Sequence, residues 1–169
     1  CKRSQFFWCV LVFILNIKGK YFRDITKKSG LTESIWGMGC SVADFNNDGL
    51  TDLFITAVGE NQLYANQADN TFINVTHNSG LSGSDWSMAA TLGDYNKDGL
   101  LDIYISNFID YTKGARTFER TQGFRLTTDI AFDPTLYNPQ SNTLYVNKGG
   151  FIFENVTKKM NVANFLPAW

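Results

Sequence analysis

Shifting the sequence by fifty residues lays 22–56 on 72–106 without a gap, and fifteen of those 35 positions are identical. The identities are Phe22/Phe72, Thr26/Thr76, Ser29/Ser79, Gly30/Gly80, Leu31/Leu81, Ser34/Ser84, Trp36/Trp86 and Met38/Met88, then Asp44/Asp94, Asn46/Asn96, Asp48/Asp98, Gly49/Gly99, Leu50/Leu100, Asp52/Asp102 and Ile55/Ile105. Such a chain is built from copies of one supersecondary unit, because a single copy cannot bury its apolar face alone.

A third copy begins at residue 142. Leu63-Tyr64-Ala65-Asn66 recurs as Leu144-Tyr145-Val146-Asn147, and each lies nine residues before a Phe, Phe72 or Phe153. Phe72-Ile73-Asn74-Val75-Thr76 recurs as Phe153-Glu154-Asn155-Val156-Thr157, and the sequence stops short of a third acidic loop. The same register sets Phe13-Ile14-Leu15-Asn16 nine residues before Phe22. From Asp52 to Leu63 is 11 residues but from Asp102 to Leu144 is 42, an insertion of 31. It falls at about 108–141 and carries Arg116, Arg120 and Arg125 among Tyr111, Phe118, Phe124, Phe132 and Tyr137. Insertions into repeats map to loops on one face, often a binding face.

Each copy reads as β. Gly39 to Ala43 and Ala89 to Gly93 are short strands of small residues leading into an acidic turn. Leu53 to Thr56 and Ile103 to Ser106 leave that turn with β-prone residues, and Leu63-Tyr64 and Phe72 to Val75 supply further strands. About four strands per fifty residues predicts an all-β chain of propeller-blade or solenoid units.

The acidic turns carry the chemistry. Asp44-x-Asn46-x-Asp48-Gly49-x-x-Asp52 recurs as Asp94-x-Asn96-x-Asp98-Gly99-x-x-Asp102. Oxygen ligands at positions 1, 3, 5 and 9, with Gly at 6 and a backbone carbonyl at 7 (Leu50, Leu100), are how a short loop wraps a hard cation. Three carboxylates without nitrogen or sulfur favour Ca²⁺ over zinc, and the donor count exceeds what Mg²⁺ takes from protein. Two Ca²⁺ sites are therefore expected. An EF-hand would place Glu at position 12, where Ile55 and Ile105 stand, so the expected site is strand–loop–strand. The competing reading is an Asx-rich turn that binds nothing. Against it, three acids crowded within nine residues repel one another without a cation.

The loops, the Leu-Tyr-x-Asn strand and the Phe-x-x-Val-Thr segment resemble FG-GAP/VCBS repeats, the calcium-bearing blades of integrin α-type β-propellers. The Gly-Leu and Trp before each loop, and the long insertion, are similar to the ASPIC/UnbV and cartilage-acidic-protein type. The resemblance covers about 13–169 and implies a seven-bladed propeller with calcium in loops at one face. Two full repeats plus partial ones cannot close a ring, so further blades of the same chain or an oligomer would be needed. The division is 1–19 as a signal peptide or the last strand of a preceding blade, 20–107 as two repeats, 108–141 as the inserted loop and 142–169 as the start of a third.

Composition narrows the partners. The 15 basic and 16 acidic residues give a net charge of -1, which supplies no general attraction to nucleic acid. One His, His77, argues against catalytic triads and His-rich zinc sites. Lys2, Arg3 and the apolar run Phe6 to Leu15 suit a signal peptide and are too short to span a bilayer. Location outside the cytosol (extracellular, periplasmic or cell surface) is expected. Cys1, Cys9 and Cys40 show no metal spacing, and Cys40 reads as a small buried thiol. Asn74 and Asn155 head glycosylation sequons, but their repeat position favours structural turns. Trp36, Trp86 and Trp169 read as inter-blade core, and His77 as a solvated loop residue.

No acid–base pair stands apart from the loops, so a non-enzymatic module that recognises a protein or glycan, through the insertion, is the leading reading. The alternative is a non-catalytic propeller part of a larger secreted or biosynthetic enzyme.

Overall fold

The computed structural model describes residues 12–31, 34–81, 83–110 and 137–163. Its two principal sheets are four-stranded antiparallel meanders. Sheet I runs β3 (Trp36–Ala43), β4 (Asp52–Val58), β5 (Gln62–Asn66) and β6 (Phe72–Asn74). Sheet II runs β7 (Ser87–Gly93), β8 (Asp102–Asn107), β11 (Thr143–Asn147) and β12 (Phe153–Asn155). Two small hairpins complete the described strands: β1 (Ile14–Ile17) with β2 (Tyr21–Asp24), and β9 (Ile109–Asp110) with β10 (Asn138–Pro139). The all-β, blade-like class expected from the repeat is what the chain adopts, and neither sheet closes on itself.

The sheets are phased differently from the sequence repeat. Phe72 opens the second sequence copy, yet its strand is the last of sheet I, paired through Asn66↔Phe72. Likewise 143–155 completes sheet II instead of starting a new one. A tandem repeat has no intrinsic starting point, so only strand pairing decides where a sheet ends.

Each repeated residue has a physical job. Asp24, Asn74 and Asn155 accept the N–H of Thr26, Thr76 and Thr157 at 2.9, 2.9 and 3.1 Å. Each Thr hydroxyl then accepts a strand N–H: Phe13, Leu63 or Leu144, at 2.8–2.9 Å. These Asx turns start the single helical turns α1 (Thr26–Ser29) and α2 (Thr76–Ser79). The Asn74 amide also donates to Gln62 Oε1 at 2.5 Å, which ties the sequon Asn into the fold. His77 lies on α2 with 84% of its side chain exposed.

Sheet I stacks on sheet II. Phe45, Phe54 and Leu63 of the first, all at 0% exposure, meet Leu81, Ile103, Ile105, Tyr145 and Phe153 of the second. Close approach requires small residues where β3 crosses β7: a Cβ on Gly39 would come within 3.0 Å of the Met88 carbonyl oxygen, and Ser41 Oγ donates to the Ala90 carbonyl at 3.0 Å. That is why the strands before the loops are rich in Gly, Ser and Ala. A second cluster, Leu31, Ile55, Tyr64 and Phe72, lies on the other side of sheet I and receives Phe13. The Phe13 and Phe72 rings meet edge to face at 5.4 Å.

Two expectations need correction. Cys40 is exposed, because it alternates onto the outer face of β3; the cover that remains over its sulfur holds the thiol pKa above its ordinary value. Trp86 is half-buried against Phe108 and bridges to Val58 of sheet I, as inter-sheet core should. Its counterpart Trp36 is 56% exposed, since no described strand stands before it as sheet I stands before Trp86. Trp169, the arginines of the insertion and the residues before Val12 lie outside the described residues.

Candidate functional site

The acidic loops join the first two strands of each sheet, so both open at the same end of the stack. Antiparallel order then puts the β5–β6 turn at that end and the β4–β5 turn at the other. The insertion replaces the counterpart of the β4–β5 turn, and its stem is the β9–β10 pair. The acidic loops and the β9–β10 stem therefore lie at opposite ends of the stack.

The two loops share one backbone. Asn47 and Lys97 both have φ of 60°, and Gly49 and Gly99 have φ of 84° and 86°. Asp44 accepts the N–H groups of Asp48 and Gly49 at 3.1 and 2.7 Å; Asp94 accepts those of Asp98 and Gly99 at 3.1 and 2.9 Å. Asn46 Oδ1 accepts the Asp48 N–H and Asn46 Nδ2 donates to Asp48 Oδ2, a pairing that Asn96 and Asp98 repeat. Leu50 and Leu100 donate their N–H to Asp48 and Asp98 at 2.8 and 2.9 Å. The structure thus gathers positions 1, 3, 5 and 7 of each predicted loop around one bend. The loops also touch, through Asn47 Nδ2 donating to the Gly99 carbonyl at 3.2 Å.

Position 9 is built differently. Asp52 and Asp102 are 0% and 2% exposed. The Asp52 carboxylate accepts from Phe45 N at 3.0 Å and Asn66 N at 2.9 Å; Asp102 accepts from Tyr95 N at 3.1 Å and Asn147 N at 2.9 Å. Each is a clamp between the loop and the third strand. Burial raises the Asp52 pKa above its ordinary value, the two N–H groups oppose that, and the charges of Asp48 and Asp44 add to the rise.

Sequence reasoning saw Asn66 and Asn147 repeat but gave them no role. Asn66 Nδ2 donates to the Thr51 carbonyl at 2.7 Å. Asn147, at 0% exposure, donates to the Leu101 carbonyl at 3.1 Å and across the sheets to the Phe45 carbonyl at 2.8 Å. It joins the first loop to the second sheet. Asn147→Ala should therefore cost about 2 kcal/mol in urea unfolding, because it strands buried carbonyls. Asn66→Ala, at a more exposed position, should cost less.

Among the described residues, no group of three or more His, Cys, Asp or Glu side chains converges as a ready metal cage. The donor set nonetheless fits a hard cation in kind. It is all oxygen, and a carboxylate or amide oxygen that accepts one N–H keeps a second lone pair.

No curated protein matches the chain. Residues 44–105 match the family model of the FG-GAP-like repeat, a span that starts at the first acidic loop and ends in β8 beyond the second. That match, with blade-like four-stranded sheets around it, identifies residues 44–105 as FG-GAP-like repeat sequence.

Proposed function

We propose that the chain is a non-enzymatic, calcium-stabilised repeat module that serves recognition of a protein or glycan outside the cytosol. The observation that carries the reading is that both loops set Asp, Asn, Asp, Gly, Leu and Asp at the same positions, with the same hydrogen bonds to the first Asp and matching φ at the bend. Turn chemistry alone needs one Asx and a Gly; it does not need three carboxylates held at the same positions twice. Asp44, Asn46, Asp48, the Leu50 carbonyl and Asp52 would hold one Ca²⁺, and Asp94, Asn96, Asp98, the Leu100 carbonyl and Asp102 the other. The ion supplies two positive charges that offset the crowded carboxylates and link the two strands leaving each loop.

FG-GAP repeats are typically extracellular or surface domains, where free calcium is abundant. Among the described residues no helix is long and apolar enough to cross a membrane. Support for recognition at the insertion end comes from a cavity of about 480 Å³ beside the insertion's stem, lined by Asp85, Gln140, Ser141, Asn142, Thr143 and Lys158. Gln140 fixes its shape by accepting from Trp86 N at 2.8 Å and donating to Asp85 Oδ1 at 2.7 Å. Burial, then the charge of Asp110, holds the Asp85 pKa above its ordinary value.

Isothermal titration of the chelator-treated chain with CaCl₂ tests the metal reading. Two sites per chain are expected, falling to one in Asp48→Ala and in Asp98→Ala. Absence of binding at millimolar Ca²⁺, or a stoichiometry unchanged by both variants, would reject it.

A further inference from the structure

A hydrogen-bonded frame fixes the wall of the cavity beside the β9–β10 stem. The Asp85 carbonyl accepts the Gly59 N–H of the β4–β5 turn at 2.9 Å, and the Phe108 carbonyl accepts the Gln140 N–H at 3.1 Å. Behind them, buried Asn61 donates its amide to Ser87 Oγ at 3.1 Å, and buried Ser87 donates to Asn107 Oδ1 at 2.9 Å. Asn107 then orders the rim. Its N–H donates to Asn142 Oδ1 at 2.9 Å, and its amide to the Ser141 carbonyl at 2.9 Å and Thr143 Oγ1 at 3.3 Å.

What the frame leaves over decides the ligand. A carboxylate has about four acceptor sites and an amide has two donors. Asp85 accepts from Gln140 Nε2 at 2.7 Å and from Asn107 Nδ2 at 3.4 Å, so acceptor sites remain. Gln140 uses one amide N–H on Asp85, and Asn142 uses one on Tyr104 Oη at 3.1 Å, so each keeps a second. Thr143 Oγ1 accepts from Asn107 and keeps its own O–H to donate. Acceptors and donors thus line one cavity of about 480 Å³, a volume usual for small-ligand sites. An anion there would face the charge of Asp85, with that of Asp110 nearby. A cation would leave the amide N–H groups unmatched and would meet Lys158, the one cation among the described lining residues. Neighbouring hydroxyls, each of which donates and accepts, match both kinds of group.

We propose that this cavity binds a neutral sugar residue of a glycan through neighbouring hydroxyls, with Asp85 as acceptor and Gln140, Asn142 and Thr143 as donors. The assignment rests on the recognition reading above and narrows it to a glycan. Asp85 is partly desolvated, so an O–H that reaches it displaces little water and meets a strengthened acceptor. Its partners hold it in place before the sugar arrives.

The test follows amide correlation spectra of the isotope-labelled full chain in calcium-containing buffer, titrated with the methyl glycosides of mannose, galactose and N-acetylglucosamine. At least one is expected to shift the side-chain amide signals of Gln140 and Asn142, with millimolar affinity. Asp85→Asn should bind that glycoside about tenfold more weakly, and Thr143→Val should also weaken it. Backbone signals check that both variants are folded. No shift with any of the three glycosides, shifts confined to other residues, or undiminished binding by both variants would overturn the proposal. Shifts of the same signals by N-acetyl-lysine methylamide alone would also overturn it, in favour of a basic peptide side chain, and would leave the recognition reading standing. Calcium titration of the same sample reports separately on the loops.

Discussion

Gly80→Ala should destabilise the chain by roughly 2–5 kcal/mol, whereas Gly99→Ala should cost only about 1–2 kcal/mol. Both glycines sit in left-handed backbone, at φ of 78° and 86°, so both substitutions carry the strain of an L side chain there. The difference lies in what surrounds them. Gly80 ends α2 and lies against the Phe153 carbonyl oxygen, which a Cβ would overlap; Gly99 faces open space. Gly30 repeats the arrangement, with a Cβ 2.6 Å from the Phe72 carbonyl oxygen, and Gly30→Ala should behave like Gly80→Ala. Urea unfolding of the three variants checks the ranking. Equal losses at positions 80 and 99 would show that the approach of the helical turn to the next outer strand is not tight.

Phe54→Ala should cost roughly 3–5 kcal/mol, the range for removing a fully buried aromatic ring. Phe54 is at 0% exposure in the cluster joining the two sheets, so its loss opens a cavity between them. Tyr104 stands at the same register in sheet II and faces outward, beside a shallow depression of about 210 Å³ that Tyr95 and Leu144 also line. Its hydroxyl accepts from Asn142 Nδ2 at 3.1 Å. Tyr104→Ala should cost clearly less than Phe54→Ala in the same denaturant series. The comparison isolates what stacking one sheet on the next contributes to stability.

The sequence made the strands legible because its repeat is gapless. Aromatic and β-branched residues at Phe54 to Thr56 mark β4, and the same residue types at Ile103 to Ile105 mark β8. The acidic loops were legible as loops, since spacing alone places Asp44, Asn46 and Asp48 around one turn. The double duty of Asp52 was not. Its partners, Phe45 N and Asn66 N, are main-chain groups, and a residue string does not show where an N–H points. Cys40 and Trp36 were misplaced for one reason: their faces of β3 are covered only if another sheet stands in front of them, and pattern within a strand does not say whether it does. The phase of the sheets was hidden similarly, because Phe72 could pair forwards or backwards in a periodic chain.

On the proposed function, the paired acidic loops hold Ca²⁺ as part of the fold. Without the cation, Asp44, Asp48 and Asp52 place about three negative charges at one bend, and Asp94, Asp98 and Asp102 do the same. An ion bound by the folded chain adds its binding energy to folding. Free Ca²⁺ a hundredfold above the dissociation constant is worth about 2.7 kcal/mol per site. The direct measurement is thermal melting of wild type, Asp48→Ala and Asp98→Ala in chelator, in millimolar Ca²⁺ and in Mg²⁺. The account predicts a wild-type melting temperature raised by Ca²⁺ and not restored by Mg²⁺, with each variant losing about half of the calcium-dependent rise. A wild-type curve that millimolar Ca²⁺ leaves unmoved would contradict it, and the loops would then be turns and nothing more.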